Sequence, residues 1–357
     1  MPLTLVNPLR TAQGDHTTRT AALIEITADD GTVGWGENVA PEGAFYTGET
    51  ARASIEHLRN VLVPGLVNDD FEEDWEDEDE FLMPMADHAV SSALADIEAR
   101  QRGIPLTAAI GRRDVERVRV GAVVGLHDSG DATVAEAMER VAEGYTRIKV
   151  KIAPGHDKDV VTAVAAALPT GIELHVDANG AYTRRDIAHL SFLDALQVGL
   201  IEQPFAPDDL ESHSLLSQKI STPVCLDESV MDIVDAMKAI GSGACSVINV
   251  KPSRVGGFHQ AVAILRLCAE NGIDAWIGGM LESGIGRAGC LALATHPACT
   301  LTPDLSASAR YFERDVTAPF ELVEGHIAVP RGPGLGVEPL PQVLDSPDTV
   351  IDTLFER

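Results

Sequence analysis

Aromatic residues make up only 4% of this 357-residue chain, too few for a surface built to stack bases or sugars. Basic residues are scarce as well: 27 Lys and Arg against 55 Asp and Glu leave a formal net charge of −28. A surface that acidic repels nucleic acid and anionic membranes, so neither is an expected partner. The five cysteines (Cys225, Cys245, Cys268, Cys290 and Cys299) are odd in number, lack CxxC spacing and lie in apolar segments. They read as reduced, buried thiols of a cytoplasmic protein. No apolar run approaches the length of a membrane span. The N-terminus, Met1-Pro2-Leu3-Thr4-Leu5, has no basic stretch followed by a long apolar one.

What is present is regular. From about residue 118, short apolar runs recur at 118–124, 147–152, 173–177, 197–202, 224–227, 246–250, 275–278 and 301–305. Segments of helical length and period separate them, at 133–143, 157–167, 210–219, 230–240, 257–271 and 285–295. Eight strands alternating with helices at about 25 residues per unit predict a closed parallel barrel. An open doubly wound sheet is the alternative, disfavoured because no glycine fingerprint follows the first strand.

The first 110 residues follow another pattern. Runs at 21–27 and 32–35 flank Asp29-Asp30-Gly31, a hairpin turn. The segment 14–19 is polar and turn-rich and is expected to be a mobile loop. A second loop, Pro41-Glu42-Gly43-Ala44-Phe45-Tyr46, carries two of the few aromatics. Helical period covers 49–62 and 87–102, the latter with Asp87 as N-cap and Gly103 as stop. Between them, ten of the twelve residues 69–80 are acidic. They lack the glycine and alternating Asn/Asp of a calcium loop, so a solvated face is the expected role. The predicted organisation is an α+β capping domain over residues 1–110, joined by residues 310–357, and a barrel over 111–309.

Barrel active sites form where strands end. Those ends carry Lys149 and Lys151, then Asp177 and Asn179, Glu202, Asp227 with Glu228, and Lys251. Lys149 and Lys151 are two apart, so on a strand they share a face. Asp177 to Glu202 is 25 residues and Glu202 to Asp227 is 25 again, one strand–helix unit each. Three carboxylates converging on one point require a cation, and hard oxygen ligands suit Mg²⁺. Lysines on the second and sixth strands flank it from opposite sides. A lysine near a dication and a second lysine has a lowered pKa and can serve as a base near neutral pH. A base plus Mg²⁺ suits removal of a proton α to a carboxylate, through an enediolate.

The motifs Lys149-Val150-Lys151, Asp177-Ala178-Asn179, Ile201-Glu202-Gln203-Pro204, Leu226-Asp227-Glu228-Ser229 and Asn249-Val250-Lys251-Pro252 resemble the muconate-lactonizing branch of the enolase superfamily. That superfamily is known for pairing a lysine or histidine base with Mg²⁺. Arg254-Val255-Gly256-Gly257, the 278–284 run and Asp304-Leu305-Ser306-Ala307-Ser308 are similar to o-succinylbenzoate synthases and N-succinyl- or N-acylamino acid racemases. Gly34-Trp35-Gly36-Glu37 and Phe45-Tyr46 extend the match into the capping region, so it covers nearly the whole chain.

The resemblance implies a modified TIM (β/α)7-8β barrel with an α+β cap. It implies Mg²⁺, with Mn²⁺ as a substitute, held by Asp177, Glu202 and Asp227. Lys151 and Lys251 would be the acid/base pair, with Lys149 assisting Lys151. Asn179 and Glu228 would support the metal ligands. Arg254, Gly279, Met280, Ser283, Phe45 and Tyr46 would contact a small carboxylate substrate. The implied activity is o-succinylbenzoate synthesis, a dehydration in menaquinone biosynthesis, and/or N-succinylamino acid racemisation. Muconate cycloisomerisation and dipeptide epimerisation are the alternatives, and a homo-oligomer is expected.

The chain departs from the family at Ser253, usually glycine, and at Gly289-Cys290, usually His-Asn. Its late start leaves the first strand of the cap apparently missing. Gly284-Ile285-Gly286-Arg287-Ala288-Gly289 spells GxGxxG, the basis of an oxidoreductase alternative. Its late place, set back from the seventh strand by a loop, favours close helix packing, with backbone N–H groups facing a substrate carboxylate. A metal-binding relative without activity is the other competing class. His175 shares a face with Asp177 but reads as structural, and Trp276 as barrel packing.

Overall fold

A computed structural model of the chain describes residues 1–11, 14–44, 46–68 and 83–356. The acidic stretch 69–80 and Phe45 lie outside the described residues. Strand β1 (Pro2–Thr11) pairs antiparallel with β2 (Gly14–Thr20). The 14–19 segment, expected as a loop, is therefore strand, and the first strand of the cap is present as β1. Backbone pairing from Pro2↔Thr20 to Thr4↔Thr18 outweighs the polarity that suggested a loop.

Strands β3 (Ala22–Thr27) and β4 (Val33–Asn38) form the expected hairpin. Gly31 supplies a φ of 84° at its turn, where Asp30 Oδ1 accepts the Thr32 N–H at 2.9 Å. The helix Pro84–Gln101 lies across this hairpin. It packs so closely that a β-carbon at Gly34 or Gly36 would strike the carbonyl of Ala93 or Ala89. The helix starts at Pro84 rather than at the expected cap Asp87. The buried Glu49 carboxylate accepts the N–H groups of Met85 and Ala86 at 2.9 and 3.0 Å, so a distant residue caps it. The 49–62 helical stretch begins at Ala51 behind the N-cap Thr50 and loosens into a π turn over Leu58–Leu62.

The expected 118–124 strand is two strands. Strand β5 (Arg117–Arg119) turns away, while β6 (Ala122–Val124) enters the barrel. The break falls at Val120-Gly121, where the missing side chain of Gly121 makes room for the Arg147 guanidinium. Then follow β7 (Arg147–Lys151), β8 (Glu173–Asp177), β9 (Leu200–Glu202), β10 (Val224–Leu226), β11 (Val247–Val250) and β12 (Asp274–Ile277). Together with β6 they form one seven-stranded parallel sheet in chain order. The 301–305 run is not a full strand, but it fills the eighth place. Asp304 bridges Gly278 in parallel, and the Pro303 carbonyl accepts the Gly121 N–H at 2.9 Å, so the sheet curls shut. The fold is a modified (β/α) barrel with an α/β capping domain.

Local chemistry explains the regularity. The barrel strands are short β-branched runs buried on both faces, as parallel strands covered by helices must be. Ser129, Asp157, Asp209 and Asp232 cap the helices that follow β6, β7, β9 and β10. Inside the barrel, Trp276 packs with Leu200, Cys225 and Val247, and the Arg147 guanidinium lies 4.7 Å from its ring. After the barrel, β13 (His326–Ala328) pairs with β5. The chain then reaches the cap, where Leu335 donates its N–H to Asp96 at 2.6 Å and Leu354 joins the cluster around Leu58 and Leu62. No helix among the described residues is long and apolar enough to cross a membrane.

Candidate active site

The C-terminal ends of β7 to β11 deliver charged side chains into one buried space. Alternation along β7 puts Lys149 and Lys151 on one face, in register with His175 and Asp177 of β8. The next register pairs Asp177 with Glu202. Asp227 directly follows β10 and Lys251 directly follows β11. All six ionisable groups (Lys149, Lys151, Asp177, Glu202, Asp227 and Lys251) are buried.

Lys151 Nζ donates to Asp177 Oδ2 and to Asn179 Oδ1, both at 2.6 Å. Lys149 Nζ donates to Glu202 Oε2 at 2.6 Å, stands 3.1 Å from Asp177 Oδ2 and pairs with Asp304. Lys251 Nζ donates to Asp227 Oδ2 at 2.8 Å and to the Tyr46 hydroxyl at 3.0 Å. The carboxylates thus form a row across three neighbouring strands. Lys151 stands at one end of it and Lys251 at the other.

At Asp177, Lys149 and Lys251, neighbouring charge outweighs burial. Burial pushes the Asp177 carboxyl up, but the ammonium groups of Lys151 and Lys149 hold it down at about 2. Burial pulls Lys149 down, and the carboxylates of Asp304, Glu202 and Asp177 outweigh it, leaving the ammonium above the ordinary lysine value. Lys251 also lies above that value: burial lowers it, while Tyr46, Glu228 and Glu202 raise it. For Lys149 and Lys251 the nearer carboxylates outweigh both burial and the like charge.

Two family models match this architecture. "Mandelate racemase / muconate lactonizing enzyme, N-terminal domain" covers residues 1–111, and "Enolase C-terminal domain-like" covers residues 132–343. The chain belongs to the muconate-lactonizing branch of the enolase superfamily. It is 40% identical over 343 residues to an o-succinylbenzoate synthase of Geobacillus kaustophilus, spanning 95% of this chain and 91% of that protein. It is also 40% identical over 356 residues to an N-succinylamino acid racemase of Amycolatopsis sp, spanning 97% and 94%. A solved enolase-superfamily structure from Listeria innocua matches with a TM-score of 0.89 at 35% identity, covering 96% of this chain and 94% of that one.

In this enolase-superfamily chain the remaining expected site residues take distinct places. Arg254 is fully buried: it donates to the Val230 and Asn249 carbonyls at 2.9 and 2.6 Å, and its Nη1 bonds Asp227 and the Tyr46 hydroxyl. Tyr46 descends from the cap onto the row, its hydroxyl 3.1 Å from Asp227 Oδ1. Met280 and Tyr46 both pack against Val39, Ala40 and Met85, an apolar patch where cap meets barrel. Gly279 lies against the Asp304 carbonyl. Asn179 Nδ2 donates to Glu228 Oε1 at 2.8 Å, and burial together with the Asp177 charge raises the Glu228 carboxyl. His175 is buried edge-on to Trp276, its pKa pushed well down by burial and by Arg147.

The glycine motif 284–289 opens the helix Gly284–Ala294. The N–H groups of Gly284 and Gly286 do not await a substrate carboxylate, as the sequence suggested. Asp315 takes that of Gly284 at 2.7 Å and Glu37 takes that of Gly286 at 2.9 Å. Ser283 is buried, and both its N–H and its Oγ go to Glu37, at 2.9 and 2.7 Å. Protein carboxylates occupy the place an anion would take at this helix start.

Sequence reasoning missed three supports. Asn249 donates to Glu202 Oε1 at 2.8 Å, Asp304 joins Lys149 to Arg147, and the side-chain Oε1 of Gln203 accepts the Asp227 N–H at 2.9 Å. Asn249 was findable, since it is two residues before Lys251 and shares its face.

Among the described residues no three His, Cys, Asp or Glu side chains are gathered as a ready metal cluster. Asp177, Glu202 and Asp227 each face a lysine instead. Their chemistry still fits a hard dication, being three buried carboxylates on adjoining strands with no competing imidazole or thiolate among them.

Proposed function

We propose that this chain abstracts a proton α to a carboxylate, as an o-succinylbenzoate synthase and/or an N-succinylamino acid racemase. One observation carries the reading: Lys151 and Lys251 stand at opposite ends of the row Asp177, Glu202 and Asp227. A substrate lying over that row presents its two faces to two amines. The names and near full-length coverage of the Geobacillus and Amycolatopsis relatives support the substrate class.

Asp177, Glu202 and Asp227 would hold Mg²⁺, or Mn²⁺ in its place. When bound, the cation supplies positive charge that offsets the second negative charge of the enediolate. The chain's own groups move the protons. In racemisation, Lys151 Nζ takes the α-proton from one face and Lys251 Nζ returns one to the other, or the reverse. In dehydration, Lys151 takes the α-proton and then protonates the departing hydroxyl, which leaves as water, while Lys251 stays charged opposite. Lys149, held by three carboxylates, is a fixed cation beside Lys151. Arg254 and Tyr46 orient Asp227 and Lys251.

Exchange in deuterated water with Mg²⁺ and each enantiomer of an N-succinylamino acid tests this. The unmodified chain exchanges the α-hydrogen of both; Lys251→Ala racemises neither and exchanges only one. Equal exchange of both by Lys251→Ala would sink the two-base assignment.

A further inference from the structure

We propose that Arg19 and Glu37, both in the capping domain, are positioning residues that set substrate affinity by fixing the 278–283 loop. The inference rests on the enzymatic reading above. Arg19 is the last residue but one of β2 and Glu37 lies in β4, and both are buried where cap meets barrel. Arg19 Nε donates to the Leu281 carbonyl at 2.8 Å, and its Nη1 to the Val39 carbonyl at 3.0 Å. Its Nη2 stands 3.7 Å from Glu37 Oε1 and has no hydrogen-bond partner among the described residues.

Leu281 is held with φ at 57°, the left-handed region that an L side chain rarely enters. The carbonyl that Arg19 grips belongs to that residue. Glu37 secures the loop's far end: Oε1 accepts the Ser283 N–H, and Oε2 accepts the Ser283 hydroxyl and the Gly286 N–H. Gly286 has no room for a β-carbon, which would meet Glu282 and Glu37. A second buried pair, Glu282 with Arg287 at 3.3 Å, continues the alternation of charge.

The loop matters because of what its near end touches. A β-carbon on Gly278 would fall on Asn249 and on the stem of Lys251. Met280 packs against the same Val39, Ala40 and Met85 cluster as Tyr46, and Tyr46 in turn bonds Lys251. The cap therefore shapes one wall of the site through two side chains that touch neither lysine nor carboxylate of the row. Releasing the loop displaces that wall, while Lys151 stays on β7 and Lys251 keeps its own bond to Asp227. Binding, not turnover, is what should change.

Three variants of the full-length, Mg²⁺-loaded protein test this. Glu37→Gln replaces one acceptor with a donor, Arg19→Met removes both carbonyl contacts, and Arg19→Lys keeps the charge without the fork. For Glu37→Gln and Arg19→Met, KM for an N-succinylamino acid should rise about tenfold or more while kcat stays within about threefold. Arg19→Lys should fall between, and it keeps the test alive if the others do not fold. Amide hydrogen exchange over 279–286 should quicken by about tenfold or more in the variants, with 147–151 and 173–177 unchanged. That measurement needs no substrate, so it tests the clasp even if the unmodified chain proves inactive on every carboxylate tried. Loop exchange at the unmodified rate overturns the inference. So does a fall in kcat at constant KM.

Discussion

The barrel mouth and the cap–barrel seam both bury charge, yet they satisfy it in opposite ways. At the mouth, side chain meets side chain: Lys151 with Asp177, Lys149 with Glu202, Lys251 with Asp227. At the seam, Glu37 spends its oxygens on backbone N–H groups and a hydroxyl, and Arg19 spends its donors on carbonyls. A pair of flexible side chains can part and re-form around an incoming carboxylate or cation. A carboxylate that caps a helix cannot leave without stranding buried N–H groups. Exchangeable pairing suits proton transfer, and fixed pairing suits a frame.

The comparison would break first at the mouth. Lys151→Ala and Lys251→Ala should each lower kcat by about a thousandfold or more, roughly 4 kcal/mol in barrier. Asp177 keeps Lys149 as a neighbour, and Asp227 keeps Arg254 and Tyr46, so neither carboxylate is orphaned. Urea unfolding should therefore move by no more than about 1 kcal/mol. A loss of activity that merely tracked unfolding would erase the distinction between the two regions.

On the cap the effect should reverse, with stability lost and chemistry kept. Gly36→Ala drives a methyl group into the Ala89 carbonyl, backbone that cannot give way, and should cost about 3 kcal/mol in urea unfolding. The kcat of the remaining folded protein should be unchanged. A stable Gly36→Ala protein would mean that the helix Pro84–Gln101 can slide on its hairpin.

His88 sharpens the contrast through pH. It lies on that helix, edge-on to Phe258 of the barrel at 5.2 Å, and burial pushes its pKa down to about 4. Below pH 6.5 the unfolded chain binds a proton that the folded chain refuses. Stability should thus fall as pH drops from 6.5 toward 4, by at most about 3 kcal/mol, and be flat in this respect above 6.5. His88→Leu should remove that part of the slope in chemical denaturation at pH 7 and pH 5. An unchanged slope would rule out the assigned cause. The smallest effect belongs to the surface: breaking the exposed Arg117–Glu324 pair, 3.5 Å apart, should change stability by less than about 0.5 kcal/mol.

Much of the molecule is legible in its sequence. The β-branched runs located the barrel strands to within a few residues, because a parallel strand covered on both faces must be apolar throughout. Period-two alternation and the equal 25-residue steps were enough to make Lys149, Lys151, Asp177, Glu202, Asp227 and Lys251 neighbours. Other features were read wrongly for physical reasons. The threonine-rich 14–20 stretch looks like a loop until a partner strand satisfies it. The 118–124 run looks continuous until Arg147 demands the space beside Gly121. The glycine motif looks like an anion site until Glu37 arrives from 249 residues away to fill it.

The sequence by itself thus determined the barrel, its cap and the roster of charges at the strand ends, because periodicity and spacing are local and repeat. Only the tertiary structure decided which charge neutralises which. Ser283 meets Glu37 across 246 residues and Leu281 meets Arg19 across 262, distances over which no local pattern in the chain carries information. Burial then made those meetings obligatory, since a charge or an N–H group sealed from water must find a partner wherever the fold supplies one.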